Sequence, residues 1–315
     1  MQNYGSRKNF GYGKNFKHAA RQALSANGAQ PGTIRTHASR LHDFIDFTKR
    51  EGLSARDAAK FPDNHLKNYA ADVARRYHNG EINKASTAHS YITAINKVFE
   101  SLTGKNPGLS PTKEIGVGRS EVRETVPTGQ DAKQVQSVAD QLAVDHPRTA
   151  ATIAIERNLG LRAREAALID SRAALKEAAK NGKVNVTEGT KGGRGNNVDR
   201  YVPITKPEQW RALKDAAAAQ GKSKNLIPVG KTWVQHYNHN RYILNNYQGL
   251  IDKQHDLRAA YACERYRELT GHEAPICRAA GESAPDKETD KSAREIISRE
   301  LGHGRIDVTN SYLGK

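Results

Sequence analysis

The chain closes on Leu301-Gly302-His303-Gly304-Arg305-Ile306-Asp307-Val308-Thr309-Asn310-Ser311-Tyr312-Leu313, which puts a tyrosine nine positions after a histidine. A phenol is a poor nucleophile at neutral pH, since free tyrosine ionises only near about pH 10. It attacks a phosphodiester where neighbouring cations favour phenolate character and stabilise the charge that builds on the phosphorus oxygens. Three upstream stretches carry side chains of that kind. In Gly160-Leu161-Arg162-Ala163-Arg164-Glu165, a guanidinium in a turn between helices can fork onto two phosphate oxygens, and Glu165 can fix its orientation. Alone, that stretch is equally an ordinary helix-start ion pair. Lys191 sits in a glycine-rich loop; such a lysine is commonly a solvated charge, but it can also reach into a minor groove and donate a proton. In His255-Asp256-Leu257-Arg258 the i, i+3 spacing puts histidine and arginine on one helix face, where both can point at one phosphate. His303 and Tyr312 are joined by a segment short enough to bring both to one site.

The elements that must position these groups are mostly helical. Ile34, Ala38, Leu41, Phe44 and Ile45 form one apolar stripe at helical spacing; Leu66, Tyr69, Ala70 and Val73 form a second; Ala88, Tyr91, Ile92, Ile95 and Phe99 form a third. Strand signals are absent before residue 180, so the first hundred residues read as a small helical bundle. Gly104, Pro107, Gly108, Pro111, Gly116, Gly118, Pro127 and Gly129 then break the periodicity, as an interdomain linker would. Helices resume with Val135, Val138, Ala139 and Leu142 and again over 150–158. The runs 184–187 and 200–204 read as a β-hairpin around a cationic glycine-rich loop, and Pro207 opens another helix.

Composition fits a polyanionic partner. Lys+Arg number 50 against 34 Asp+Glu, a net charge of +16. No apolar run approaches a membrane span, and the basic N-terminus lacks the apolar stretch of a signal peptide. The two cysteines, Cys263 and Cys277, do not suggest a disulfide framework, so a reducing cytosol is expected.

In their order, these stretches resemble the tyrosine recombinase (phage integrase) family, whose catalytic set runs Arg, Lys, His-x-x-Arg, His or Trp, Tyr. The matching motifs are Gly-Leu-Arg-x-x-Glu at 160–165, the hairpin lysine at 191, His-x-Leu-Arg at 255–258 and Leu-Gly-His at 301–303, with Tyr312 at the usual spacing. The resemblance implies a mainly α fold with a small β-hairpin (an α+β catalytic domain), arranged as a two-domain C-shaped DNA clamp. The expected divisions are a mobile basic arm over 1–15, a helical core-binding domain over 16–110, a linker over 111–130 and the catalytic domain over 131–315.

The resemblance further implies a site-specific DNA recombinase in which Arg162 and Arg258 take the non-bridging oxygens. His255 assists proton transfer from the phenol, His303 hydrogen-bonds a phosphate oxygen, and Lys191 protonates the leaving 5′ oxygen. Tyr312 becomes a 3′-phosphotyrosine, whose bond energy lets a 5′ hydroxyl reseal the strand, and Glu165 supports Arg162. No metal, ATP or other cofactor is implied. Arg7, Lys8, Lys14, Lys17 and Arg194 are expected on DNA phosphates. The expected partners are double-stranded DNA with specific recombination sites, copies of the chain forming a homotetramer on DNA from a free monomer or weak dimer, and an accessory DNA-bending protein. The expected setting is cytoplasmic and nucleoid-associated, with no membrane. Competing readings are a type IB topoisomerase-like relaxase and a non-catalytic sequence-specific DNA-binding protein.

Two features depart from the family pattern. His255 and His303 lie 48 residues apart, well beyond the usual separation, and the excess falls in the polar stretch 270–290. An inert surface loop is expected there, since long polar insertions cost little stability; the alternative is an added contact with DNA or a neighbouring protomer. Three residues after Tyr312 cannot form the helix with which many relatives dock on the next protomer, so contacts between protomers are expected from another segment. Cys263, His272 and Cys277 match structural zinc patterns poorly, and Cys263 is expected to be a buried apolar residue.

Overall fold

A computed structural model describes residues 8–190 and 199–315 of the chain. Its contacts divide it into two compact units, the first ending at Ser120 and the second beginning at Glu121. No helix among the described residues is long and apolar enough to cross a membrane.

The first unit is built from α1 (Phe16–Ala26), α2 (Pro31–Arg50), α3 (His65–His78), α4 (Ala85–Thr103) and the short α5 (Pro111–Ile115). The three apolar stripes become the inner faces of α2, α3 and α4, with Ala38, Leu41, Phe44, Tyr69, Ala70, Val73, Ala88, Ile92 and Ile95 buried. Phe44 is the hub: the rings of Phe16, Phe61, Tyr69 and Phe99 all meet it edge-on, with centroids 5.0–6.1 Å away. Edge contacts of this kind add about 0.5–1.5 kcal/mol each beyond burial. At the rim, Asp43 accepts from Tyr69 Oη at 2.7 Å and from both terminal nitrogens of Arg76 at 2.7 and 2.8 Å, which locks α3 to α2.

Residues 1–7 of the expected basic arm lie outside the described residues. Residues 8–15 fold onto the unit because buried Asn9 is bonded on all sides. Its N–H donates to Asp57 Oδ1 at 2.7 Å, its Oδ1 accepts from Ala58 N at 2.8 Å, and its Nδ2 donates to Gly13 and Arg56 carbonyls. The stretch expected as linker is divided between the two units. α5 packs on α3 and α4 through buried Ile115, whereas Gly129 and Gln130 carbonyls each accept from the Arg157 guanidinium at 2.7 Å. Glycine and proline break the periodicity there, but the backbone still finds partners.

The second unit runs α6 (Ala132–Asp145), α7 (Pro147–Leu159), α8 (Ala163–Leu168), α9 (Ser171–Asn181), β1 (Lys183–Asn185), β2 (Tyr201–Pro203), α10 (Pro207–Gln220), α11 (Trp233–Leu244), α12 (Gln254–Thr270), α13 (Lys287–Glu300) and α14 (Asn310–Leu313). α7 is its axle: α6, α10 and α12 pack around it, and every residue from Thr149 to Arg157 is buried. β1 and β2 pair antiparallel with Val184 opposite Val202, the hairpin expected from the sequence. The domain is therefore mainly α with a small two-stranded sheet.

The polar stretch 270–290 is shorter as a loop than expected and is not inert. Asp286 caps α13 by accepting from Glu288 N and Thr289 N at 2.9 Å, so its last residues are helical. Ala274 is fully buried, and Ile276 N donates to Leu313 O at 2.8 Å. This segment holds the residue that follows Tyr312 in the same chain.

Candidate active site

The Gly-Leu-Arg-x-x-Glu and Leu-Gly-His motifs each match a local backbone device. α7 stops at Gly160, which has φ +65° and donates its N–H to Glu156 O at 3.1 Å. Leu161 is then buried, and Arg162 becomes the N-cap of α8. Glu165 reaches back to accept from the Arg162 N–H at 2.7 Å, as the third helical residue of a capping box does. The glycine is needed twice over. A Cβ at Gly160 would lie 2.3 Å from the Tyr261 ring, and its φ disfavours any side chain. Gly160→Ala is therefore expected to lower stability by at least about 2 kcal/mol in urea unfolding; a midpoint equal to the parent would contradict this account of the turn.

The Leu-Gly-His motif is the C-terminal turn of α13. His303 N donates to Ser298 O at 2.8 Å and Gly302 N to Arg299 O at 2.9 Å, with Gly302 at φ +67°. Those two bonds form a Schellman end, which throws His303 off the helix in a fixed direction. A 3₁₀ turn over Ile306–Thr309 then leads into α14, and Tyr312 returns to His303 nearly buried, at 3% exposure. On α12, His255 and Arg258 lie one turn apart, Arg258 buried and His255 exposed beside the Tyr312 ring.

These elements bring Arg162, Glu165, His255, Arg258, His303 and Tyr312 into one cluster. Arg258, with no exposed surface, is its centre. Its Nε donates to Tyr312 Oη at 3.2 Å, its Nη1 to Gly160 O, and its Nη2 to Leu301 O and to His303 Nε2. Tyr312 Oη also lies 3.1 Å from His303 Nε2. Arginine has only donors, so Tyr312 Oη accepts from Arg258; with Nε2 unprotonated, the single lone pair of His303 is shared between Arg258 Nη2 and the phenol hydroxyl. His255 meets the phenol only ring to ring, with centroids 5.5 Å apart. His303, not His255, lies within hydrogen-bond distance of the phenol oxygen. Lys191 and Arg194 lie outside the described residues, as does Arg7. Lys8 and Lys14 are exposed and Lys17 half-buried, all in the first unit.

The electrostatics are those of an anion site. Glu165, fully buried, faces three guanidiniums: Arg162 at 2.5 Å, Arg200 at 2.8 Å and Arg258 at 3.5 Å. One carboxylate against three cations leaves uncompensated positive charge in a region shielded from water. Burial alone would raise the Glu165 carboxyl; Arg200, Arg258 and Arg162 overcome it and hold the group below its ordinary value. Burial pushes Arg258 down to about 10, so it stays charged at neutral pH.

Burial, then Arg258, Arg162 and Arg200, push His303 down to about 3. His255 is exposed, and desolvation of the side packed on the cluster, then Arg258, Arg123 and Arg162, lowers it from its ordinary value. The folded chain thus resists a proton that the unfolded chain takes up below pH 6.5, and these histidines erode stability as pH falls from 6.5. Above 6.5 their contribution is complete. Nitrogen-15 NMR is expected to show His303 neutral at pH 5; a titration near 6.5 would contradict the cluster.

Two residues that hold the cluster together do not stand out in the sequence. Arg200 is the first. Its signal was there: Arg200, Val202 and Ile204 alternate on one strand face, and the other two are core residues. Arg123 is the second. It donates its N–H to Asn310 O at 2.9 Å and pairs its guanidinium with Asp256, tying the tyrosine segment to the start of α12. Nothing in the local sequence marks it. Cys263 is buried as expected and donates its Sγ–H to Tyr312 O at 3.7 Å.

The family model described as Integrase matches residues 119–264. That span includes Arg162, Glu165, Lys191, His255 and Arg258 and ends before His303 and Tyr312. No curated protein sequence matches the chain. Among solved structures, the Tn1549 transposon integrase in complex with circular intermediate DNA is 13% identical, covers 95% of each chain and has a TM-score of 0.57. The XerH site-specific recombinase bound to difH substrate is 16% identical over 94% of this chain and 79% of that one, with a TM-score of 0.56. A lambda integrase dimer bound to a COC′ core site is 13% identical over 95% and 76%, with a TM-score of 0.55. At these identities the likeness shows the fold.

Proposed function

We propose that this chain, an integrase-family protein with the fold of the tyrosine recombinases, cuts and rejoins DNA at specific sites through a 3′-phosphotyrosine at Tyr312. The observation that carries the reading is the placement of the phenol oxygen, 3.2 Å from Arg258 Nε and 3.1 Å from His303 Nε2, in a buried cluster with excess positive charge. A scissile phosphate entering the cluster supplies the missing negative charge and takes over the donors that Tyr312 now occupies. Arg162, the least buried of the three guanidiniums around Glu165, meets it first, and Arg258 takes a second non-bridging oxygen.

In the proposed step the phenol oxygen forms a bond to phosphorus, the bond to the 5′ oxygen breaks, and the phenol proton leaves through a neutral imidazole. The 3.1 Å approach of His303 Nε2 to the phenol oxygen supports that route, and His255 borders the same ring. Lys191 protonates the departing 5′ oxygen. A substrate with sulfur at that bridging position needs no such proton, so it is expected to restore most of the cleavage lost in Lys191→Ala. A defect unchanged by sulfur would remove Lys191 from that role.

Duplex DNA is the partner, in keeping with the net charge of +16 and with relatives solved on DNA. Lys8, Lys14 and Lys17, together with Arg7 and Arg194, supply phosphate contacts that carry affinity rather than sequence. A homotetramer assembled on DNA from monomers or weak dimers, an accessory bending protein and a cytoplasmic, nucleoid-associated setting complete the reading. Its test is a covalent adduct on duplexes tiled across the DNA flanking the gene, each nicked to trap the intermediate; no adduct on any of them would overturn it.

A further inference from the structure

Arg200 sits at the start of β2, where the hairpin that carries Lys191 returns to the core, and it is 5% exposed. Its Nε donates to Glu300 O at 2.8 Å, at the end of α13, while its Nη1 pairs with Glu165 Oε2 at 2.8 Å. Its stem passes beneath Gly302, where a Cβ would come within 2.7 Å of the Arg200 Cδ. One side chain therefore spans three catalytic elements: the hairpin, the Glu165 carboxylate that orients Arg162, and the turn that throws out His303. Nη1 and Nη2 are both buried with no hydrogen-bond partner among the described residues, so the link to Glu165 is an ion pair and the only directional bond of the guanidinium is the one from Nε. A buried guanidinium left partly unpaired is costly, and a site that retains one has a use for it.

We propose that Arg200 is a positioning residue of the cleavage reaction, clamping Glu165 and the His303 turn in register with the hairpin so that Arg162, Arg258 and His303 converge on one phosphate. The two-ended reach is essential. An ammonium at this position keeps the charge but is a single point that cannot bridge Glu300 O and Glu165 together. This role rests on the cleavage reaction proposed above, and its test separates the two.

The test uses the full chain and whichever nicked duplex gives the wild-type adduct. Arg200→Lys is expected to slow single-turnover adduct formation by about tenfold or more, and Arg200→Gln by about a hundredfold or more, with duplex affinity within about twofold. Sulfur at the 5′ bridging position should rescue neither, because leaving-group protonation is not what they lose. In free Arg200→Gln, His303 should titrate closer to its ordinary value because a neighbouring cation is gone; in Arg200→Lys it should stay low. Wild-type rates in both variants would overturn the role. Wild-type behaviour of Arg200→Lys with a slow Arg200→Gln would also overturn it, since charge alone would then suffice. Failure of the wild-type chain to form any adduct counts against the recombinase reading instead. The crystal structure of free Arg200→Lys then decides Arg200 alone: Glu165 and the His303 turn should be displaced from each other, and both unmoved would reject it.

Discussion

Tyr312→Phe is expected to abolish covalent attachment to DNA while duplex affinity stays within about twofold. The substitution removes one oxygen, the atom that Arg258 Nε and His303 Nε2 now hold at 3.2 and 3.1 Å. Affinity is distributed over many phosphate contacts and is left intact. The cost to the fold is local, because the phenyl ring keeps its buried seat while Arg258 Nε loses its acceptor. That is expected to cost about 1–3 kcal/mol, enough to see in urea unfolding without emptying the folded state. A trapped adduct on a denaturing gel with the phenylalanine variant would remove Tyr312 as nucleophile, and loss of duplex binding would show that the residue acts through the fold.

Glu165→Ala is the most damaging single change expected for the resting protein. Its carboxylate is fully buried and is the counter-ion shared by Arg162, Arg200 and Arg258. Without it, three guanidiniums repel one another at short range, and removing one partner from a buried ionic cluster costs about 3–5 kcal/mol. A second consequence distinguishes this from simple loss of packing. An added oxyanion can replace the missing charge, so sulfate should stabilise the variant far more than the parent, by mass action on the folded state. Adduct formation should fall by about a hundredfold or more even where sulfate has restored the fold. Equal response of variant and parent to sulfate would show that the three arginines are not a charge cluster held by Glu165.

The site was largely legible in the sequence because its motifs are backbone devices as well as chemical ones. Gly160 and Gly302 end helices in the left-handed conformation, and Glu165 caps the helix that Arg162 starts. Residue type and spacing carry that information. The helical stripes of the first unit were legible for the same reason: Leu41, Phe44 and Ile45 repeat at the period of a surface helix. α7 was harder, since it is buried on every side and has no stripe to read.

What escaped depends on long-range contacts. Arg200 meets Glu165 and Glu300, far along the chain, and its only local sign was a charge in line with Val202 and Ile204. Arg123 clips Asn310 to Asp256 with no sign at all. The polar stretch 270–290 read as an inert loop because composition does not reveal that Ile276 pairs with Leu313. The resemblance gives proton transfer to His255, and sequence alone could not show that His303 Nε2 lies 3.1 Å from the phenol oxygen.

The most direct test of the central claim is the chemistry of one peptide. Adduct trapped on a nicked duplex, digested with nuclease and trypsin, should yield residues 306–315, which contain a single tyrosine, Tyr312, carrying a nucleotide through its 3′ phosphate. Tandem mass spectrometry should place that mass on Tyr312. Nucleotide on any other residue, or a 5′ linkage, would contradict the account.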